Sequence, residues 1–287
     1  MVAKRLPAVA GRFYPADPRA CREMVEKLLP QINAPAGIGA IVPHAGWIFS
    51  GSTAAFALSG IAAFQPDTVV IFGAAHGPDP NAASLYAHGA WETPLGSALI
   101  DEKLAAGFVR GEGIRDYPPA HSREHSIEVQ LPLLKALLPN VEIVPVDVRP
   151  GSEASEIGRY CAKQAISSGR KVAFVGSTDL THYGPAFGFE PHGRGDAGIR
   201  WAKEVNDRRF VALIQSLDAD GVVPEAGANR NACGPGAVAA TLGAMQVLGA
   251  TQYHELRHTC SAEAEGFADR DPYNSVGYEA GVFLLAQ

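Results

Sequence analysis

Apolar segments of strand length alternate with longer amphipathic segments along the whole sequence. Six apolar runs are predicted strands, at residues 39–45, 68–76, 141–148, 171–179, 251–258 and 275–285. Seven amphipathic segments are predicted helices, at residues 17–29, 51–63, 101–110, 122–138, 152–168, 195–217 and 234–248. Because the Val-, Ile- and Phe-rich runs are flanked by helices, both faces of each strand are expected to be buried. The alternation predicts an α/β fold with a mostly parallel or mixed central sheet flanked by helices on both faces.

The length and apolar content of the chain fit a single domain that spans residues 1–287. With 287 residues, 47% of them hydrophobic, the chain can bury a large core, and it contains no long linker, repeat or low-complexity segment. Pro and Gly cluster at the predicted element ends, notably in residues 183–195. That cluster is longer than a simple connector needs, so it is predicted to be a functional loop.

Charge and composition argue against several classes of partner. The formal net charge is −6 and no run of Lys or Arg offers the basic surface that a nucleic acid requires. Residues 1–18 lack the apolar core of a signal peptide, and no apolar run is expected to reach the roughly 18 residues of a membrane span. The four cysteines form no CxxC pair, which argues against a zinc knuckle or a disulfide framework. We therefore expect a cytoplasmic protein with no nucleic-acid or membrane partner.

Three predicted strands end in side chains that can ligate metals or transfer protons. His44 follows the first strand, His76 follows the second, and Asp179 and His182 follow the strand that begins at residue 171. In open α/β sheets, ligands bind beyond the carboxyl ends of the strands. One histidine at a strand end is usually structural, but three strands that deliver such groups to one edge predict a site.

Two further segments carry chemically active residues. HSREHSIEVQLP (121–132) contains His121, His125 and Glu128, and the i, i+3 spacing of the last two predicts that they share one face of a helix. Cys233 immediately precedes the predicted helix at 234–248. A thiol at a helix N-terminus experiences a positive dipole, so the pKa of Cys233 is expected to be lowered.

A metal site is the first chemistry that these residues permit. His44 and His76 are candidate imidazole ligands, completed by Cys233 or by a carboxylate such as Asp179. Two histidines with one carboxylate suit Fe(II) and O₂ activation, whereas a thiolate ligand also admits zinc or copper.

A metal-free site is the second chemistry that these residues permit. Cys233 would be a nucleophile with His182 as its base, and Asp179 or Glu128 would orient the imidazole. The two chemistries differ in the distances they require between side chains, and the residue pattern alone leaves both open.

Seven motifs occur in an order that resembles the Memo family. In chain order they are RLPAVAGRFYPAD (5–17), PHAGW followed by glycine (43–51), FGAAH (72–76), EHSIEVQLP (124–132), DLTHYG (179–184), ACGPGAV (232–238) and VGYEAG (276–281). In prokaryotes this family includes the component B protein of the AmmeMemoRadiSam system. The motifs span nearly the whole chain, and their ordered occurrence is far more specific than any one of them.

The resemblance implies a fold similar to that of class III extradiol dioxygenases, with a pocket at the corresponding place. Carried over by motif, the implied metal ligands are His44, His76 and Cys233. The implied catalytic groups are Asp179 and His182, together with His125 and Glu128 at the pocket wall. The implied metal is Fe(II), with copper or zinc as alternatives. The implied partners are a small-molecule or peptide ligand and other AmmeMemoRadiSam proteins.

The sequence departs from the family pattern at one motif and from the dioxygenases at another. The motif GAAH has Ala74 and Ala75 where family members commonly have proline and a polar residue, which questions how His76 is oriented. Cys233 takes the place expected for a carboxylate ligand in extradiol dioxygenases, so catechol cleavage cannot be inherited from the fold.

The preferred prediction is a metal-dependent oxidoreductase that oxidises a small ligand with O₂. The rival interpretations are a binding protein with a metal- or peptide-recognising pocket, and a hydrolase or transferase that uses Cys233 and His182. Metal content and the reactivity of the cysteine distinguish the three.

Overall fold

A mixed β-sheet flanked by helices forms the body of the protein. The computed structural model describes residues 3–29, 34–264 and 273–286. Within these residues the main sheet contains β2 (Gly39–Val42), β3 (Thr68–Ala74), β4 (Ala83–Leu85), β7 (Ile114–Asp116), β8 (Glu142–Val148), β9 (Val172–Ser177), β10 (His182–Tyr183), β11 (Ala250–Cys260) and β12 (Ser275–Leu285). A smaller sheet contains β1 (Lys4–Arg5), β5 (Ala90–Thr93) and β6 (Gly96–Leu99). The predicted α/β fold with a mixed sheet is confirmed.

The helices lie between these strands along the chain. They are α1 (Pro18–Leu28), α2 (Trp47–Phe64), α3 (Glu102–Phe108), α4 (Leu131–Leu137), α5 (Ala154–Ser168), α6 (Asp196–Trp201), α7 (Asp207–Gln215), α8 (Val222–Asn229) and α9 (Pro235–Leu248). A π-helical turn, Ala202–Asn206, joins α6 to α7, so the predicted helix at 195–217 is nearly continuous. Helices α5 and α9 pack so closely that a Cβ at Gly158 would lie 1.8 Å from the Ala240 carbonyl oxygen.

The centre of the main sheet is parallel. Strand β9 pairs in parallel with β2 on one side and with β3 on the other, and β3 pairs in parallel with β8. The C-terminal strand β12 runs antiparallel to β2, β10 and β11. Consequently β2, β9 and β3 are neighbours whose carboxyl ends lie at one edge, as the sequence predicts.

Several short elements escape the sequence prediction. Strands β4 to β7 and β1 have two to four residues each, too few to show a periodic pattern. Helix α8 carries Pro224 and Gly227, which lower its helix propensity. These elements lie mostly between residues 83 and 116, a region for which only one helix is predicted.

The helix predicted at 122–138 is shorter than expected. Residues 124–127 are not helical, a 3₁₀ turn covers Glu128–Gln130, and α4 begins at Leu131. The N–H groups of His125 and Ser126 donate to the Glu124 carboxylate at 2.7 and 2.8 Å, a local alternative to helical hydrogen bonds. The expectation that His125 and Glu128 share a helix face is therefore wrong.

Helix α2 is longer and more apolar than the sequence reading allowed. Its 18 residues carry no charge, and by length and composition alone it could cross a membrane. This corrects the expectation that no apolar run reaches that length. More than half of the helix is buried, and it packs against β2, β11 and β12, which is the environment of a core helix.

Candidate functional site

Three neighbouring parallel strands deliver one site residue each at the same offset. His44 lies two residues beyond the end of β2, Asp179 two residues beyond β9, and His76 two residues beyond β3. Because β2 and β3 both pair in parallel with β9, with Val42 opposite Ser177 and Phe72 opposite Gly176, these offsets bring the three residues to one sheet edge. The ring centroids of His44 and His76 are 5.2 Å apart, and His125 lies 5.4 Å from His44 and 4.9 Å from His76.

The hydrogen bonds of Ser177 fix the tautomer of His44. The Ser177 hydroxyl donates its one proton to the Ser126 carbonyl oxygen at 2.8 Å, so it accepts a proton from His44 Nδ1 at 3.0 Å. The other ring nitrogen, Nε2, is then unprotonated and lies 3.2 Å from Cys233 Sγ. His44 is buried, and burial lowers its pKa well below the usual range. The ring is therefore neutral, with the lone pair of Nε2 facing the thiol.

Cys233 and Asp179 hold each other through their backbones. The Asp179 N–H donates to Cys233 Sγ at 3.3 Å, and the Cys233 N–H donates to the Asp179 carbonyl oxygen at 3.1 Å. The Asp179 carboxylate accepts from the His44 N–H at 2.7 Å. His44, Asp179 and Cys233 are thus linked by reciprocal contacts between the ends of β2 and β9 and the start of α9.

Burial controls the protonation of this group. Burial raises the pKa of Asp179 to about 7. The pKa of Cys233 is also raised, first by desolvation and then by the nearby Asp179 carboxylate. The expectation that the helix N-terminus lowers the pKa of Cys233 is therefore wrong, because loss of hydration outweighs the helix dipole. In the metal-free protein the thiol keeps its proton and can donate it to His44.

Glu124 organises the other histidines. Its carboxylate lies 3.0 Å from His76 Nδ1 and also accepts the backbone N–H groups of His76, His125 and Ser126 at 3.0, 2.7 and 2.8 Å. Desolvation opposes protonation of His76, but the hydrogen bond and charge of Glu124 outweigh it and raise the pKa of His76. The same contacts lower the pKa of Glu124 against the cost of its burial. Glu124 therefore orients His76, even though Ala74 and Ala75 replace the proline and polar residue that family members commonly have before this histidine.

The side chains of His125 and Glu128 lie in different environments. The His125 ring contacts Phe13 at 4.8 Å between centroids and lines the cavity described below, and burial lowers its pKa. The fully buried Glu128 carboxylate bonds Arg5 Nη1 at 2.7 Å and the Tyr14 hydroxyl at 2.8 Å. It also accepts the N–H groups of residues 8 and 9. The structure therefore does not bring Glu128 into the cavity; it anchors the N-terminal segment behind it.

A cavity of about 320 Å³ opens beside these residues. Its apolar wall is formed chiefly by aromatic side chains, and its polar groups include His125, Asp179 and His182. His182 donates from Nδ1 to the Leu180 carbonyl oxygen at 3.1 Å, which leaves Nε2 as an acceptor, and burial lowers its pKa. Phe187, from the predicted functional loop at 183–195, lines the cavity and contacts His182 at 5.1 Å between ring centroids.

Two triads in the described part of the chain have donor atoms close enough to share a metal ion. One is His44, His76 and His125, and the other is His44, Asp179 and Cys233; within each triad the donor atoms lie within 4.8 Å of one another. Metal–ligand bonds are about 2.0 to 2.3 Å long, so small side-chain rotations would close either set. His76 and Cys233, both predicted ligands, belong to different triads joined by His44. Imidazole, thiolate and carboxylate together are a donor set that fits iron, copper or zinc.

Two residues that the sequence reading overlooked complete the site. Glu124 precedes His125 in the EHSIEVQLP motif, and Ser177 lies in a predicted strand and is the last residue of β9. The signal for Glu124 was its adjacency to a candidate histidine; a serine at the end of an apolar strand gives no comparable signal.

Comparison with known proteins agrees with this arrangement of motifs. The family described as Memo-like protein matches residues 5–282. The chain belongs to the Memo family. A MEMO1 family protein of Methanothermobacter thermautotrophicus is 38% identical, over 96% of this chain and 98% of the relative. MEMO1 family proteins of Methanopyrus kandleri and Thermococcus onnurineus are 36% and 34% identical, over 98% and 97% of this chain and 99% of each relative.

The comparisons confirm the family inferred from the motifs. Membership in the Memo family covers the segments that carry His44, His76, Asp179 and Cys233, because the match extends from residue 5 to residue 282. The possible metal site built from His, Asp and Cys side chains therefore lies within the part of the chain that matches the family.

Proposed function

We propose that this Memo protein holds Fe(II) at the junction of its two triads and oxidises a small ligand in the adjacent cavity with O₂. The observation that carries the proposal is the 3.2 Å contact between Cys233 Sγ and His44 Nε2. His44 is buried, Cys233 is partly buried, and both are neutral in the metal-free protein, so these atoms are poised as ligands where His44 joins the two triads. Copper and zinc are the alternative metals, since a thiolate also suits them.

The metal would be held by His44 and Cys233, with His76 and Asp179 as further donors from either triad. When bound, Fe(II) with open coordination positions supplies O₂ activation. Cys233 must lose its proton to become a ligand, so metal binding is expected to release a proton and to strengthen as the pH rises. Glu124 and Ser177 orient the two imidazoles through their Nδ1 atoms, which directs Nε2 of each ring away from these partners.

Proton transfer to the bound ligand falls to Asp179 and His182. Both line the cavity, and His182 Nε2 is an acceptor because Nδ1 donates to Leu180. Where Asp179 is not itself a metal ligand, its pKa of about 7 in the metal-free protein lets the carboxyl group take up or release a proton near neutral pH. Phe13, Phe49 and Phe187 on the cavity wall exclude water from one side of a bound molecule.

Metal analysis of protein purified without oxygen tests the proposal. We expect about one iron per chain, lost in His44→Ala and in Cys233→Ala but retained in Cys21→Ala, which removes a buried thiol of α1. O₂ uptake with a panel of catechols and thiols tests the reaction. Bound metal with no O₂ uptake would favour a metal- or peptide-binding protein that does not catalyse oxidation.

The thiol-nucleophile alternative makes a different prediction. It requires a metal-free protein in which Cys233 is alkylated unusually fast near pH 7. The raised pKa of Cys233 opposes this, and the described hydrogen bonds pair the thiol with His44 rather than with His182. Rapid alkylation of Cys233 in metal-free protein would overturn the metal proposal.

We also propose a cytoplasmic location. The cysteines, Cys21, Cys161, Cys233 and Cys260, are unpaired, as expected in a reducing compartment. Fluorescence microscopy or fractionation of the tagged chain in its source cells tests this, with recovery in a membrane fraction as the contrary result.

A further inference from the structure

A buried polar network holds the loop that carries Asp179 and His182, and none of its members lines the cavity. It consists of Thr181 on the loop, Asn206 and Asp207 at the start of α7, and His258 on β11. The side chains of Asn206, Asp207 and His258 are nearly or fully inaccessible to solvent. Polar groups so deeply buried destabilise a fold unless they are hydrogen-bonded.

Two successive residues grip one threonine. The Asp207 carboxylate accepts the Thr181 backbone N–H at 2.9 Å, and Asn206 Nδ2 donates to the Thr181 hydroxyl at 3.1 Å. Asn206 ends the π-helical turn Ala202–Asn206, a conformation that is rare in proteins and concentrated at functional sites. The wider turn interrupts the α-helical path at the point from which both side chains reach the loop.

The carboxylate of Asp207 is fixed from two other directions. His258 Nε2 lies 3.1 Å from Asp207 Oδ2. A Cβ at Gly277 would lie 2.1 Å from the same oxygen, so any larger residue there would displace the carboxylate. The backbone of Gly277 in turn bonds Leu180 and Thr181 on the loop, at 2.8 and 3.0 Å. Thr181 is therefore held by several mutually fixed hydrogen bonds rather than by one adjustable contact.

Thr181 lies between the two residues whose positions matter for the site. Its neighbour Leu180 provides the carbonyl oxygen that fixes the His182 ring, and Asp179 bonds Cys233 through its backbone. A shift of Thr181 would therefore disturb both the imidazole and the carboxylate.

We propose that Asn206 and Asp207 are positioning residues that hold Asp179 and His182 toward the cavity by clamping Thr181. The consequence for metal binding rests on the proposed function. The consequence for the orientation of His182 does not, because it is measured on metal-free protein.

The experiment compares Asp207→Ala with Glu279→Gln as a matched control. Glu279 is another fully buried carboxylate, on β12 opposite His258, but its hydrogen bond goes to Tyr253 and not to the loop. The first readout is the ¹⁵N NMR signature of the His182 ring in metal-free protein. The wild type and the control should show the Nδ1–H tautomer, whereas Asp207→Ala should show a mixture of both tautomers.

The second readout is Co(II) affinity, followed by thiolate-to-metal absorption. Loss of a group that orients ligands typically weakens metal binding about 10- to 100-fold, which is the change expected for Asp207→Ala. A wild-type protein that fails to bind Co(II) would contradict the proposed function, while the NMR signature would still decide the role of the clamp.

A milder pair of variants serves if Asp207→Ala does not fold. Thr181→Val removes only the hydroxyl that Asn206 holds, and Thr181→Ser restores it. We expect Thr181→Val to shift the His182 signature and Thr181→Ser to recover it. The clamp is refuted if the folded variants lose thermal stability while both the His182 tautomer and Co(II) affinity match those of Glu279→Gln.

Discussion

The candidate site has two halves that share His44 and differ in the protonation of their acidic groups. The imidazole half contains His76 and His125, held by the Glu124 carboxylate, whose pKa is lowered. The thiol half contains Cys233 and Asp179, whose pKa values are both raised by burial. The imidazole half therefore retains a charged hydrogen-bond acceptor in the metal-free protein, whereas burial favours the neutral thiol half.

The two halves therefore become ready for metal binding in different ways. The imidazole half is pre-oriented by the Glu124 charge, and its only proton to lose before metal binding is that of any protonated His76, whose pKa Glu124 raises. The thiol half must release a proton before Cys233 can bind a metal, so its affinity depends on pH. Variants that act on only one half can test whether the two are as independent as their contacts indicate.

The largest effect is expected behind the imidazole half, at Arg5. Its guanidinium bonds the Glu128 carboxylate and the carbonyl oxygens of His121 and Glu124, so Arg5→Ala leaves a buried Glu128 without its partner. Breaking a buried ion pair in this way costs about 3 to 5 kcal/mol in the free energy of unfolding. Urea denaturation should show this loss. Lys4→Ala, which breaks the exposed pair with Glu92, should cost at most about 1 kcal/mol.

Acid should act through His121, which is fully buried with its Nδ1 3.1 Å from Asp147. Burial lowers the pKa of His121 to about 4, so the unfolded chain binds this proton more readily than the folded chain between pH 6.5 and 4. Stability is therefore lost as the pH falls through that window, by about 3 kcal/mol from this one group.

The His121→Gln variant isolates this contribution. Relative to the wild type, its free energy of unfolding should fall less steeply between pH 6.5 and pH 4, by about 1.4 kcal/mol per pH unit. Above pH 8 the difference between the two proteins should be constant. An unchanged acid slope would show that His121 is not kept neutral by the fold.

Glu124→Gln should separate the two halves. The amide oxygen can replace one carboxylate oxygen as an acceptor, but the amide NH2 cannot accept the N–H groups that the other oxygen binds. The charge that raises the pKa of His76 is also lost, so metal affinity should fall about 10- to 100-fold. NMR titration should show the pKa of His76 decreasing. The environment of Cys233, probed by its rate of alkylation, should stay unchanged; a change there would show that the halves are coupled.

The smallest effect is expected at Ser177, which connects the halves. Ser177→Ala removes the hydrogen bonds to His44 and to the Ser126 carbonyl oxygen and should cost about 1 to 3 kcal/mol, since an acceptor is left unsatisfied. Its distinguishing effect is on the His44 ring, whose proton should divide between Nδ1 and Nε2 in ¹⁵N spectra. Ser59→Ala in α2, which loses one bond to a helix carbonyl, is the matched control for stability.

Strand ends were the part of the site that the sequence could predict. His44, His76 and Asp179 each follow an apolar run, and the carboxyl ends of parallel strands meet at one edge, so their proximity follows from general rules. The placement of Glu128 could not be predicted, because it depends on Arg5, which lies 123 residues away. The predicted direction of the Cys233 pKa shift was wrong for the same reason. The helix dipole can be inferred from the sequence, whereas the desolvation that outweighs it cannot.

The fold shows the same division. Long apolar runs such as β3 and β12 appear in the sequence because they bury every or nearly every residue. The short strands and the interrupted helix at 124–137 depend on tertiary partners and on a carboxylate that captures backbone N–H groups. Local pattern identifies the elements that form the core, and side-chain contacts determine where the others begin and end.

The position of β12 has a consequence for how the protein is made. β2 ends at residue 42, yet one of its partners in the sheet is β12, which begins at residue 275. Until β12 has been synthesised, the nascent chain carries an unpaired edge on β2, an arrangement that favours slow folding and misassociation. Tyr278 and Val276 of the cavity wall arrive with the same strand, so a chain truncated before it would lack both a closed sheet and a ligand pocket.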